Sequence, residues 1–221
     1  MVDIFDEVSE DLRAERTALL LKKYGWVLIV AAVGVIGAAV GWQAWERWRS
    51  GKDMEAAQRY LAAQAAAAGA NVPGAPGRTD AIKILQQDAL TAPEGYRTLS
   101  LMRAAGLKAA NGDVPGAVET WNQVTADNRA DPLLRDLASL LAVQHQLDTG
   151  DPAALEARLK PLAEPGNAWA PLAREQLALL DLRQGKVEDA KTKLKALAEN
   201  ITAPDGLRQR AAAALLGLGG A

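Results

Sequence analysis

Residues 105–124, AGLKAANGDVPGAVETWNQV, contain the pattern that decides the fold: the end of one helix, a glycine turn and the start of a second helix. Gly112 marks the turn. Small or apolar residues lie seven positions before Gly112 and five, nine and twelve positions after it, namely Ala105, Ala117, Trp121 and Val124. Since this spacing matches one face of a helix, the stretch predicts two paired helices that pack through these side chains.

The pattern recurs twice further along the chain, around Gly150 and Gly185, which follow Gly112 at spacings of 38 and 35 residues. The matching positions of these two units are again small or apolar: Val143, Leu155, Leu159 and Leu162 in the first unit, and Ala178, Ala190, Leu194 and Leu197 in the second. Three such units predict a structure built from repeated helix pairs.

A helix–turn–helix unit of this period resembles the tetratricopeptide repeat. The chain departs from that repeat at one position, because Lys108, Gln146 and Asp181 stand where its first helix usually carries a tyrosine. The resemblance implies a solenoid in which each helix pair buries its apolar face against the next. An all-α fold is expected throughout, since no stretch alternates as a strand and the predicted helices after residue 78 cover 79–90, 94–110, 114–126, 132–147, 152–163, 168–184, 187–199 and 204–218.

Before the repeats, Tyr24–Trp45 is a run of 22 residues without a charged side chain. As a helix it would be about 33 Å long, against a bilayer hydrocarbon core of about 30 Å. Aromatic rings, which favour the headgroup region, lie at its two ends: Tyr24, Trp26, Trp42, Trp45 and Trp48. We therefore expect a transmembrane helix over 24–45. A cleaved signal peptide and a buried core helix are the alternatives, and the acidic segment before the run and its length disfavour them.

Small residues lie along one side of the predicted span, at Gly34, Gly37, Ala38 and Gly41. Such a face lets another transmembrane helix come close, so it is a candidate lateral contact. Glycine is common in membrane helices, so the same spacing also arises without any contact.

Charge leaves the direction of the span open. Lysine and arginine are equally numerous on its two sides, with Arg13, Arg16, Lys22 and Lys23 before it and Arg47, Arg49, Lys52 and Arg59 after it. Residues 46–221 carry 21 basic and 21 acidic side chains, so the linear sequence provides no basic field for nucleic acid. The chain has no cysteine, which excludes disulfides and thiolate metal sites.

Reactive groups that could form an active site are missing from the sequence. His145 is the only histidine and lies inside a repeat helix, no HExxH motif occurs, and the glycines of 69–77 precede no GK[ST] motif. We therefore expect neither catalysis nor a cofactor, a metal, a nucleic-acid partner or a small-molecule substrate.

An acidic N-terminal helix leads to one apolar span that ends in Gly41-Trp42-Gln-Ala-Trp45, and an alanine-rich helix and degenerate repeats follow. Gly166-Asn-Ala-Trp169 is a small-residue turn that opens the penultimate repeat. In these features the chain resembles the bacterial ancillary Sec translocon subunit family. The chain departs from the family in its Gly/Pro loop at 69–77 and its alanine-rich tail at 211–221.

This resemblance implies an inner-membrane protein with four segments: a cytoplasmic amphipathic segment over 1–23, the transmembrane helix over 24–45, a linker helix and Gly/Pro loop over 46–77, and a periplasmic repeat domain over 78–221. It also implies association with the Sec translocon and with a membrane-anchored periplasmic chaperone. The expected function is a non-enzymatic scaffold that links emerging proteins to periplasmic chaperones. An envelope structural or regulatory protein that acts by oligomerisation, in cell division or envelope assembly, is the alternative.

Overall fold

The computed structural model describes residues 4–68 and 72–219; within the first helix, the side chains of 4–21, 23–25 and 28–29 are outside the description. The described chain is helical, without strands. Its helices are α1 Ile4–Ala68, α2 Pro76–Thr91, α3 Glu94–Ala110, α4 Val114–Ala126, α5 Pro132–Gln144, α6 Pro152–Leu162, α7 Ala170–Arg183, α8 Val187–Ala198 and α9 Asp205–Gly217. The predicted all-α class is therefore correct for this part of the chain.

The chain divides into two units, Met1–Lys52 and Asp53–Ala221. Within the residues that are described, no helix has an apolar stretch long enough to cross a membrane. The predicted span over 24–45 gains no support from this and stays a prediction. The amphipathic segment expected before it, over 1–23, lies almost wholly outside the described side chains, which include only that of Lys22.

In the second unit, each helix from α2 to α9 packs against the next one along the chain, and α7 also contacts α9. Buried side chains form successive clusters at these contacts rather than one central core. Neighbour-to-neighbour packing of this kind is the mark of a helical-repeat solenoid. The turns at Gly112, Gly150 and Gly185 join the pairs α3/α4, α5/α6 and α7/α8.

A further helix pair precedes these three. The last part of α1 packs against α2 and α3, because Ala63, Ala81, Leu85, Ala104 and Leu107 form one buried cluster. This pair includes residues that the sequence suggested were a linker. The compact unit that contains this pair spans Asp53–Ala221, and the domain boundary at residue 78 stays a prediction.

Helix α2 repeats the core positions of α4, α6 and α8 with one change. Ala81 and Leu85 correspond to Ala117 and Trp121 at a separation of 36 residues. By the same separation Asp88 takes the place of Val124, and it is fully buried. Arg59 Nε and Ser100 Oγ both donate hydrogen bonds of 2.7 Å to its carboxylate, so one acidic side chain connects α1, α2 and α3.

The turn glycines have two different roles. Gly112 and Gly185 have φ angles of +85° and +74°, in the left-handed region that favours glycine. Gly150 has no positive φ, but a Cβ atom there would lie 3.0 Å from the Gln146 carbonyl oxygen and 3.1 Å from Leu155 Cδ1. At all three positions a side chain would disturb the turn that joins the paired helices.

Arginine side chains tie consecutive turns to one another. Arg183 Nη1 donates to the carbonyl oxygens of Leu147 and Gly150 at 2.7 Å, and Arg78 Nη1 donates to the Ala110 carbonyl oxygen at 3.0 Å. These carbonyls lie at or beyond helix ends, where no intrahelical donor is available. The long side chains thus satisfy polar groups of a neighbouring pair.

Helices α3 and α4 have the predicted bounds, and other helix ends differ by a few residues. Helix α5 ends at Gln144 rather than at 147, because His145–Gly150 form turns, including the bond from Gly150 N to Gln146 O at 2.7 Å. Helix α2 begins at Pro76, inside the predicted loop over 69–77, since proline is accepted in a first turn. Helix α9 begins after Pro204, which is its N-cap residue.

Candidate functional site

The residues predicted to pack the repeats lie in the interior of the second unit. Nine of them are buried: Ala105, Ala117, Trp121, Val143, Leu155, Leu159, Ala178, Ala190 and Leu194. Gly112, Gly150 and Gly185 occupy the turns between paired helices. These positions build the scaffold, so a binding surface has to be formed by other side chains.

The turn that opens the penultimate repeat is held by polar contacts to α5. Asn167 Nδ2 donates to Asp136 at 2.8 Å, and Trp169 Nε1 donates to the Leu133 carbonyl oxygen at 2.9 Å. Trp169 also packs on the cluster that contains Leu159. The tryptophan that resembled a family feature therefore joins two helix pairs.

The predicted membrane-facing residues are exposed in the first unit, as far as their side chains are described. Trp26, Trp42, Trp45 and Trp48 are all open to the surroundings, while Tyr24 lies outside the described side chains. Arg49 lies over the Trp45 ring at 5.5 Å and Lys52 over the Trp48 ring at 3.9 Å. These cations and rings share one helix face beyond the apolar run.

The predicted lateral contact over Gly34, Gly37, Ala38 and Gly41 is also exposed. A Cβ atom at any of its three glycines would meet nothing within 4 Å among the described residues. The face has the open space that a second helix needs, and nothing in the described chain fills it.

The second unit also has a concave surface that the sequence did not predict. It has a volume of about 480 Å³ and is lined by residues of α2, α3 and α4. Its lining is mixed: Lys83, Gln86, Gln87, Ala89, Leu90, Arg97, Leu101, Lys108, Glu119, Thr120 and Gln123. We call this surface the α2–α4 groove.

Lys108 is fixed at the wall of the α2–α4 groove. Its ammonium group donates to Thr120 Oγ1 at 2.9 Å and to the Gly116 carbonyl oxygen at 3.4 Å. Because an ammonium group has three N–H donors, one remains for a ligand. Neither Lys108 nor Lys83 forms a salt bridge with a carboxylate of the described residues.

Arg97 is the third basic residue of the groove. Its guanidinium also contacts a surface cluster formed by Asp127 and Arg129. Asp127 lies 3.7 Å from Arg97 and forms hydrogen bonds of 3.1 and 3.2 Å with the Arg129 guanidinium. The hydrogen bond from the Arg129 side chain is the largest cause that lowers the pKa of Asp127 below its usual range. The carboxylate therefore stays ionised and partly neutralises Arg97.

Leu90 lies at the edge of the same groove and is 85% exposed. A leucine this exposed contributes little to the core, since burial is what makes it stabilising. The α2–α4 groove thus combines an open apolar side chain with two lysines that form no salt bridge within the described part of the chain.

Groups that could support catalysis do not converge in the described residues. No cluster of three or more histidine, aspartate or glutamate side chains could hold a metal ion there. His145 is exposed and stacks on Trp121, with ring centroids 4.9 Å apart. Its position is explained by that packing.

The position four residues before each turn glycine is polar, and the sequence analysis did not use this to predict a contact between helices. Lys108 and Asp181, which replace the usual tyrosine, lie four residues before the turn glycine. Each contacts the residue eight positions after that glycine, Thr120 in one unit and Lys193 in the other. Because the residues at these two positions are complementary in polarity, the sequence could have predicted that Lys108 contacts α4.

The family comparison agrees with this architecture. The family described as a tetratricopeptide repeat-like domain matches residues 20–140, which is more than half of the chain. The chain belongs to the tetratricopeptide repeat-like family. The matched residues include the additional helix pair before Gly112, and the tetratricopeptide repeat-like packing continues beyond them to α9. No curated protein and no solved structure is significantly similar to the chain.

Membership of the tetratricopeptide repeat-like family indicates a scaffold for protein–protein interaction, a role that typically requires no catalytic group. Stacked repeats present extended surfaces on which a partner makes many separate contacts. The α2–α4 groove lies within the matched residues and is the candidate surface for such contacts.

Proposed function

We propose that this protein is a membrane-anchored, non-enzymatic scaffold that associates with the Sec translocon and links emerging proteins to periplasmic chaperones. The repeat unit supplies the protein-binding surface, and the apolar run over 24–45 supplies the anchor. The observation that carries the proposal is the joining of these two features in one chain, with the family match beginning at residue 20, before the run. The Sec association rests on the family resemblance of the sequence.

The anchor is proposed from the run itself. Its described side chains are exposed, including Val33, Val35 and Ile36, so the unit makes no apolar core of its own with them. A row of exposed valine, isoleucine and tryptophan side chains is unfavourable in water and favourable in a bilayer. We place the N-terminus in the cytoplasm and the repeats in the periplasm of a bacterial inner membrane.

Two matched pairs of lysine substitutions test the anchor. Val33→Lys with Ile36→Lys changes residues that are each 63% exposed, and Met54→Lys with Leu61→Lys changes residues that are 62% and 64% exposed. A charge near the centre of a membrane span costs about 2.5–3.5 kcal/mol, so only the first pair should release the protein from membranes on alkaline extraction. In the unsubstituted chain, a reporter after Arg59 should be located in the periplasm.

Equal retention of the two double variants in membranes would contradict the anchor. The two pairs are equally exposed, so their lysine substitutions should differ in effect only if one pair lies in a bilayer. A cytoplasmic signal from the reporter would contradict the proposed orientation. The two readouts are independent, so each part of the proposal can fail alone.

An envelope structural or regulatory role through oligomerisation is the second candidate. It is favoured by the open face at Gly34, Gly37 and Gly41, where a second copy could pack without displacing any described side chain. The two candidates differ in the neighbour that the chain contacts in the membrane. In the first it is a translocon subunit or chaperone, and in the second it is the same protein.

A further inference from the structure

The α2–α4 groove has a local charge that the whole repeat unit lacks. Residues 46–221 have equal numbers of basic and acidic side chains, yet three of the four charged residues that line the groove are basic. Glu119 is the acidic one, and Asp127 outside the groove is shared by Arg97 and Arg129. A net positive surface therefore faces the groove.

The ammonium groups of the two lysines on this surface are available to bind a ligand. Lys83 is exposed, and Lys108 is oriented by hydrogen bonds to neutral oxygens of α4. These acceptors carry no charge, and no carboxylate of the described residues forms a salt bridge with Lys108. A carboxylate ligand would gain a charge-assisted hydrogen bond from such a group.

The apolar feature of the groove points to a peptide rather than to a simple anion. Leu90 is 85% exposed beside the lysines, and the amide side chains of Gln86, Gln87 and Gln123 line the same walls. Amide side chains supply both donors and acceptors, which suit a polypeptide backbone. An exposed leucine supplies a contact for an apolar side chain.

We propose that the α2–α4 groove binds an acidic segment of a partner protein that also carries an apolar side chain. The carboxylates contact Lys83 and Lys108, and the apolar side chain packs on Leu90. This inference rests on the proposed scaffold function, because it names the chemistry of the segment that such a scaffold holds.

Binding of a defined probe to the full-length chain, purified in mild detergent, tests this inference. The probe is a fluorescein-labelled peptide of glutamate and leucine, and its counterpart has glutamine in place of every glutamate. We expect the acidic probe to bind more tightly by about tenfold at low salt, where the Debye length is long, and to lose most of this advantage at about 1 M salt.

Matched variants locate the site. Lys83→Glu should weaken the acidic probe by about tenfold at low salt, since it replaces attraction with repulsion, and Lys195→Glu is its control on another exposed lysine without a salt bridge among the described residues. Leu90→Gln should weaken it by about tenfold through the lost apolar contact. Its control is Ile201→Gln, at a residue 86% exposed, and both substitutions spare the core.

Three results would overturn the inference: no binding of the acidic probe, equal binding of the glutamine probe, or equal losses in the variants and their controls. A dimer that dissociates on Lys83→Glu would assign the groove to a second copy and would also overturn it. The proposed function fails separately, through the absence of translocon or chaperone neighbours in membranes. If those neighbours persist while the acidic probe does not bind, the groove chemistry alone is wrong.

Discussion

Replacing Trp121 by alanine should destabilise the repeat unit by about 4 kcal/mol, the range observed when a large buried aromatic is removed. Trp121 is 1% exposed and is the largest of the fully buried side chains among the described residues. It packs in one cluster with Leu101, Ala105, Ala117 and Ala138, so its removal leaves a cavity that the surrounding side chains fill only in part.

The loss should come from packing alone. Trp121 Nε1 has no hydrogen-bond partner among the described residues, so no polar contact disappears with the ring. The other repeats carry Leu159 and Leu194 at the same position. Trp121→Leu should therefore cost less than Trp121→Ala, because it keeps the apolar pattern and fills more of the cavity.

Thermal unfolding of the full-length protein in detergent, followed by far-ultraviolet circular dichroism, measures this difference. A loss of about 4 kcal/mol corresponds to a fall in Tm of about 10 °C for a unit of this size. Trp48→Ala is the control, since Trp48 is exposed. Equal Tm values for the Trp121 and Trp48 variants would mean that Trp121 does not organise the repeat core.

The second large effect concerns the buried carboxylate of Asp88. Arg59→Met should destabilise the unit by about 3 kcal/mol, because it leaves a fully buried carboxylate with only the Ser100 hydroxyl as its partner. Arg59 itself keeps 39% of its side chain exposed, which places the expected cost at the lower end for a broken ion pair.

Removal of both partners should restore part of the lost stability. The position of Asp88 is occupied by Val124, Leu162 and Leu197 in the other repeats, where each is buried. Arg59→Met with Asp88→Leu turns the ion pair into an apolar contact of the kind the fold already uses, and such replacements are often neutral or stabilising. The buried Ser100 hydroxyl loses its acceptor, so the recovery should be incomplete. We expect the double variant to be more stable than Arg59→Met alone by about 2 kcal/mol.

Urea denaturation of the unsubstituted protein, of Arg59→Met, of Asp88→Leu and of the double variant completes a double-mutant cycle. Additive losses in the double variant would contradict the account, since they would mean that Arg59 and Asp88 stabilise the unit independently. A second pair, Lys160 and Glu156 on α6, in which both side chains reach solvent, should show a coupling below about 1 kcal/mol in the same kind of cycle.

The repeats could be predicted because their turn glycines and packing positions recur at nearly constant spacing. Both helices of the first pair were predicted, but their pairing as a repeat unit was not, for a physical reason that Asp88 illustrates. A buried aspartate stands at a position where apolar side chains mark the other pairs, so the pattern is interrupted where an ion pair replaces it. The glycine and proline residues before α2 also suggested a loop where Pro76 in fact begins a helix.

The α2–α4 groove could not be predicted from linear counts. Lys83, Arg97 and Lys108 belong to α2 and α3, and the excess of positive charge arises only when these helices pack beside α4. In the sequence their charges are cancelled by acidic residues that lie elsewhere on the fold. The substitution of lysine for the usual tyrosine at Lys108 was visible, but its contact with Thr120 depends on the pairing of two helices.

Site-specific photo-cross-linking in intact membranes tests the central claim most directly, namely that an anchored repeat unit holds translocon and chaperone partners. The cross-linking residue is placed at Gln87, in the α2–α4 groove, and at the exposed Gln209 on α9 as a matched glutamine control. We predict that Gln87 captures a Sec translocon subunit or a membrane-anchored chaperone and that Gln209 does not. Capture of nothing but a second copy from both positions would contradict the scaffold and favour oligomerisation.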